Sequence, residues 1–204
     1  MIEEAIANGK ITLEQVRAMR ITTAHNPFIR PEQIEKLAKY GIRPEFSSWQ
    51  ALGLEGPDFI KLHGEQYLNW IMPMKSLVNA GIHPIFTTDA HMHKEPPEFQ
   101  PVDEQGDNIW AYLEYFLTRV PHDKLVPTSR SEAVDRVSLM KSATIWAAEG
   151  VLNEKNIGSL EVGKLADFIV LDKDYFTIPE DQVHTINTAL TAVGGKIWFK
   201  ADNF

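Results

Sequence analysis

The chain contains no cysteine, so disulfide bridges and thiolate metal ligands are both excluded. Any metal it holds must be bound through His, Asp or Glu, a nitrogen and oxygen ligand set that suits zinc or a similar divalent ion. No run of about 18 or more apolar residues occurs, so nothing in the sequence spans a bilayer as a helix. The opening Met1-Ile2-Glu3-Glu4-Ala5 lacks the basic and apolar regions of a secretory leader, and a cytoplasmic location is the expectation. Basic residues are in the minority: 20 Lys and Arg against 28 Asp and Glu give a formal charge of −8. That balance speaks against a phosphate-backbone partner, because nucleic-acid binders carry a basic patch. Internal repeats and low-complexity tracts are also missing. What remains is a 204-residue chain with 44% hydrophobic residues, enough to bury a core.

The stretch from Ile82 to His93, Ile-His-Pro-Ile-Phe-Thr-Thr-Asp-Ala-His-Met-His, is where the chemistry is expected. A helical segment closes on Gly81, and the apolar run that follows predicts a buried strand arriving at Asp89. In α/β folds the carboxyl ends of the strands gather the chemistry, because the loops leaving them converge on one face.

Upstream, Ile2 to Ala7 and Leu13 to Met19 predict helices, the second capped by Thr12. Ile21-Thr22-Thr23-Ala24 predicts a strand that delivers His25 to a loop. Pro31 at a first helical position, with Ile34, Leu37 and Ala38 on one face, predicts a helix that stops at Gly41. Ile42 to Ser48 predicts the next strand. Gly53 to His63 reads as a loop around Gly56-Pro57-Asp58, and Tyr67 to Ala80 as a helix bent or restarted at Pro73. Three strands alternating with helices predict a parallel sheet with right-handed crossovers.

Lys94 to Asp107 is a Pro- and Glu-rich loop by composition, and Ile109 to Val120 an aromatic packing helix. Ser129 and Glu132 have the spacing of a capping box, with a long helix predicted behind them to about Glu149. After Gly150 the pattern changes. Ala166 to Leu171 predicts a strand, and Thr188 to Val193 and Lys196 to Phe199 flank Gly194-Gly195, a hairpin signal. These late strands lack intervening helices and so predict a second, antiparallel sheet.

The run Gly158 to Asp172, Gly-Ser-Leu-Glu-Val-Gly-Lys-Leu-Ala-Asp-Phe-Ile-Val-Leu-Asp, resembles the closing signature of the amidohydrolase superfamily. The preceding Ser142-Ala143-Thr144-Ile145-Trp146-Ala147-Ala148 resembles the helix before that signature. Pro73 to Gly81 followed by Thr87-Thr88-Asp89-Ala90 resembles the family's eighth-strand region. The nearest branch is the amidohydrolase-3 group of metal-dependent hydrolases, and the resemblance runs from about Arg20 to Phe199.

The resemblance implies an α/β fold: the carboxyl-terminal part of a (β/α)8 barrel, about strands 6 to 8, over residues 1–150. Strands of a small β-sandwich would occupy residues 151–204. It implies one or two divalent ions, zinc foremost, with His25 as the strand-6 metal ligand and Asp89 as the strand-8 ligand and catalytic acid and base. The implied reaction is hydrolysis of a C–N bond in a small-molecule amide or cyclic amide by metal-activated water.

His91 and His93 form a His-x-His pair after the strand rather than on the family's first strand. The pair is expected to stand beside the ligands or to face substrate, with metal ligation by the pair as the lesser alternative. His63, His83, His122 and His184 read as structural or solvated, Lys164 and Asp167 as turn residues, and Trp49, Trp70 and Trp110 as core. No histidine precedes His25, so the ligands of strands 1, 4 and 5 have no counterpart. The rival reading follows from that gap: a non-catalytic fragment or subunit, either homo-oligomeric or completed by a second chain carrying the missing strands.

Overall fold

The computed structural model describes residues 1–47, 57–88, 108–120 and 129–202. Asp89, His91, His93, Trp49, His122 and the Lys94 to Asp107 segment lie outside the described residues.

Two short helices open the chain, α1 (Ile2–Ala7) and α2 (Leu13–Ala18). Thr12 caps α2 in a reciprocal box with Gln15, whose side chain accepts from the Thr12 amide while Thr12 accepts from that of Gln15. Strand β1 (Thr22–Thr23) leads to α3 (Pro31–Tyr40) and then to β2 (Arg43–Ser47). Gly41 ends α3 at φ 66°, and the amides of Gly41 and Ile42 close back onto the carbonyls of Ala38 and Leu37. Strand β3 (Ile85–Thr87) completes a parallel sheet, as the strand and helix alternation predicts, and the strands lie in the order β1-β2-β3.

β1 is shorter than the four residues expected. Pro44 sits opposite Thr23 in the central strand and has no amide hydrogen for the ladder. Beyond it Asn26 takes over, its backbone and side-chain amides both donating to the Glu45 carbonyl.

Four other local expectations are revised in whole or in part. Residues 57–63, read as part of a loop, form helix α4 (Pro57–His63), with Pro57 at its first position. The helix expected over Tyr67 to Ala80 does restart at Pro73, which caps α5 (Met74–Asn79), but its first half is a 3-10 turn (Glu65–Asn69), with Ile71 bridged to Phe28 between the two. The long helix ending near Glu149 is also divided, into α7 (Arg136–Ala143) and α8 (Ile145–Gly150). Ser142 and Thr144 donate their hydroxyls to the carbonyls of Leu139 and Met140, a back-bonding that bends helices, and Thr144 leaves helical geometry. Ser129 and Glu132 make no capping box; Asp135 caps α7 by accepting from the Ser138 amide.

Helix α6 (Ile109–Thr118) lies on the parallel sheet, with Phe116 between Phe46 of β2 and Phe86 of β3 at centroid distances of 6.2 and 5.9 Å. The second sheet is antiparallel, in the order β4 (Phe168–Leu171), β5 (Thr188–Val193), β6 (Lys196–Lys200). Gly194 and Gly195 make its hairpin with φ of 56° and 75°, the double positive φ that a two-residue turn of this hand requires. Tyr175, Val183 and Ile186 from this later stretch share one buried cluster with Phe46, Leu77 and Phe116. Glu114 of α6 accepts from both the backbone and the ring of His184, at 2.8 and 2.7 Å. Among the described residues no helix is long and apolar enough to cross a membrane.

Candidate active site

The three parallel strands end on the same side, and the residues that follow them form the candidate site. His25 comes two residues after β1. Its backbone is left-handed at φ 50°, a conformation that strains a side-chain-bearing residue and is held by its neighbours. Asn26 anchors the turn through the Glu45 carbonyl and through its side-chain amide, which donates to the Thr23 carbonyl at 2.6 Å. The His25 amide donates to Glu45 Oε2 at 3.4 Å.

The ring of His25 is held as well. Its Nδ1 lies 2.8 Å from Ser47 Oγ, and that hydroxyl donates to Glu45 Oε1 at 2.9 Å. Glu45 and Ser47 are two apart on β2 and therefore share a face of the strand. Ser47 is fully buried at the strand's carboxyl end. Neither residue was singled out in the sequence. The available signal was the polar alternation Glu45-Phe46-Ser47 in a strand whose next-door strand delivers a histidine.

β3 ends at Thr87, opposite Ser47, and Asp89 follows two residues later in sequence, outside the described residues together with His91 and His93. The structure thus places one of the four sequence-selected site residues, His25. A histidine that ligates a metal usually has its second ring nitrogen fixed by a hydrogen bond, and the Nδ1 contact to Ser47 meets that requirement. Among the described residues, no group of three or more His, Asp and Glu stands close enough to hold an ion. His25 fits a divalent ion as a single ligand, and a full set needs donors beyond the described residues.

The other histidines among the described residues, His63, His83 and His184, make packing and ion-pair contacts. His83 stacks on Trp146 at 4.6 Å and bonds Glu149 Oε2 at 2.8 Å, and His63 stacks on Tyr67 at 5.1 Å. In the Gly158 to Asp172 run, Lys164 reaches Ser159 Oγ at 2.6 Å, and Asp167 accepts from the Gly194 amide at 2.6 Å. Both are turn contacts within the second sheet's surroundings. Trp110 is buried in the core.

A model of the Amidohydrolase family matches residues 2–199. A 5-methylthioadenosine/S-adenosylhomocysteine deaminase of Thermodesulfovibrio yellowstonii is 25% identical over 177 residues, covering 84% of this chain and 34% of the relative. Among solved structures, an uncharacterised metal-dependent hydrolase from Pyrococcus horikoshii is similar with a TM-score of 0.61 and 22% identity, over 82% of this chain and 32% of that one. A mutant atrazine chlorohydrolase from Arthrobacter aurescens, complexed with zinc and atraton, is similar with a TM-score of 0.56 and 20% identity, over 89% and 36%. The chain therefore spans about a third of the length of these relatives.

Proposed function

The chain belongs to the amidohydrolase family, and from that premise we propose that it is the carboxyl-terminal portion of a metal-dependent hydrolase of C–N bonds in small amides or cyclic amides. In this reading β1, β2 and β3 are strands 6 to 8 of a (β/α)8 barrel, and β4 to β6 are part of a small β-sandwich. His25 is a metal ligand, Asp89 is both ligand and catalytic acid and base, and His91 and His93 stand beside the ligands or face the substrate. Zinc is the first candidate, in keeping with the zinc in the chlorohydrolase structure.

One observation carries the reading. β1 and β3 run parallel with only β2 between them, so the chain leaves both on one rim, at strands about 10 Å apart. In sequence His25 follows β1 by two residues and Asp89 follows β3 by two, so the proposal brings both residues to that rim.

A divalent ion, when bound, supplies Lewis-acid polarisation and a more acidic water. Asp89 takes a proton from the water that attacks the carbonyl carbon. It returns that proton to the leaving nitrogen as the C–N bond breaks. His25 keeps its ring fixed through Ser47 while this happens. In the polypeptide assembly that carries all the barrel strands, stripped of metal and reloaded with zinc, amide hydrolysis returns, and Asp89→Asn removes it. Undiminished hydrolysis by that variant refutes the assignment.

A second reading concerns completeness. Three parallel strands are present among the described residues, and Ile197, Trp198 and Phe199 of β6 are all exposed. Open sheet edges and apolar strand faces are what proteins cover by pairing. The rest of the barrel then comes from a second chain, and this chain alone is inactive. Metal analysis of the isolated chain separates the two: no tightly held ion is expected, whereas an equimolar ion means the site is self-sufficient.

A further inference from the structure

We propose that Glu45 and Ser47 are positioning residues that fix the tautomer of His25, placing its ring proton on Nδ1. An ionised carboxylate offers acceptors only, so the 2.9 Å contact between Ser47 Oγ and Glu45 Oε1 takes the single hydroxyl proton of Ser47. Ser47 then has only lone pairs to offer His25, and the 2.8 Å contact at Nδ1 has to be filled by a proton from the ring. A neutral imidazole with its proton on Nδ1 carries its lone pair on Nε2.

In water a neutral imidazole favours the opposite arrangement, with the proton on Nε2. The relay therefore selects the less common form. Ser47 is fully buried, so bulk water does not compete for the hydroxyl, and the strand holds Glu45 and Ser47 in register. Glu45 takes a second grip through Oε2, which accepts from the His25 amide at 3.4 Å and steadies the left-handed backbone that aims the ring. One carboxylate thus fixes both the direction of the histidine and the position of its proton.

The tautomer follows from these contacts whatever the histidine binds. Its functional meaning rests on the ligand role proposed for His25, because a metal ligand must present a lone pair.

The test is nitrogen-15 NMR of histidine-labelled chain without metal, at about pH 8.5, well above the ordinary histidine range. The two ring nitrogens of each tautomer give distinct shifts and proton couplings. The His25 signals are expected to report the proton on Nδ1. In Ser47→Ala and in Glu45→Ala, each checked for folding by circular dichroism, the population moves toward Nε2. A wild-type chain with the proton on Nε2, or folded variants with an unchanged tautomer, overturns the proposal. Zinc titration of the complete assembly then separates this proposal from the hydrolase reading. A tautomer shift accompanied by an affinity loss of about 10- to 100-fold supports both. A tautomer shift with unchanged affinity upholds the relay and removes His25 from the ligand set.

Discussion

Glu132 accepts two hydrogen bonds from Ser76 across 56 residues of chain, one from the hydroxyl at 2.6 Å and one from the backbone amide at 3.0 Å. Ser76 lies in the first turn of α5, where helix amides lack intrahelical partners. A buried carboxylate from a distant 3-10 turn thus caps the helix that leads into β3 and on toward Asp89. Glu132→Ala leaves both donors unsatisfied in a part-buried position and is expected to cost about 2–3 kcal/mol; Glu132→Gln, which retains an acceptor, costs about 1. Urea denaturation midpoints give the comparison, and equal midpoints for the two variants would show that the cap is unimportant.

The two glycines of the Gly158 to Asp172 run differ in what surrounds them. A Cβ on Gly158 would stand 2.6 Å from Ala148 Cβ and 3.0 Å from Ile145 Cα, on a backbone at φ 91°. One on Gly163, at φ 95°, would meet nothing within 4 Å. Gly163→Ala therefore adds backbone strain only, about 1 kcal/mol, whereas Gly158→Ala adds an overlap with α8 and costs about 2–4 kcal/mol. Thermal melts of the two variants should rank in that order.

At the amino ends of the strands, Glu149 gathers three side chains onto the end of α8. Its carboxylate bonds His83 at 2.8 Å and Arg43 at 3.3 Å, and its carbonyl accepts from Arg20 at 2.9 Å and from Arg43 at 3.3 Å. Glu149→Ala is expected to destabilise the chain by about 1–2 kcal/mol. In a double-mutant cycle with His83→Ala the effects should fall short of additivity, since the two residues share one contact. Strict additivity would mean that His83 contributes through Trp146 alone.

Acid should weaken the second sheet's anchorage first where hydrogen bonds hold carboxylates charged. The backbone amide of Asn187, followed by its side-chain amide, holds Asp172 below the usual aspartate value, and hydrogen bonds led by the Arg20 guanidinium do the same for Glu154. Both groups therefore bind protons more weakly folded than unfolded. Their contribution is fully present above about pH 4–4.5, the unfolded range, and is lost as pH falls through the lower folded values. Stability measured against pH should show an acid limb that Asp172→Asn makes shallower. An unaltered limb would place its origin elsewhere.

Residue spacing alone was enough for the elements whose signals are local. Pro31 and Gly41 mark the ends of α3 because one residue fixes φ at a helix start and the other tolerates a left-handed stop. Gly194-Gly195 marks its hairpin for a similar reason, and alternating strands and helices imply a parallel sheet because short connections permit little else. Those signals act within a few residues. Where a side chain had a choice between a local and a distant partner, the local reading failed. Glu132 had the spacing for a capping box with Ser129, but it is committed to Ser76. The apolar repeat behind it continued through Thr144, but two hydroxyls broke the helix there.

Composition and sequence by themselves determined the family resemblance, the absence of thiol chemistry, the parallel pairing of the first three strands and the choice of His25 as a residue of interest. Only the tertiary structure decided how His25 is held, because its ring partner sits on a neighbouring strand 22 residues away. Chain periodicity reports which face a residue takes on its own element. Which two faces meet, and so which proton sits on which nitrogen, is decided only when strands pair and water is expelled from between them.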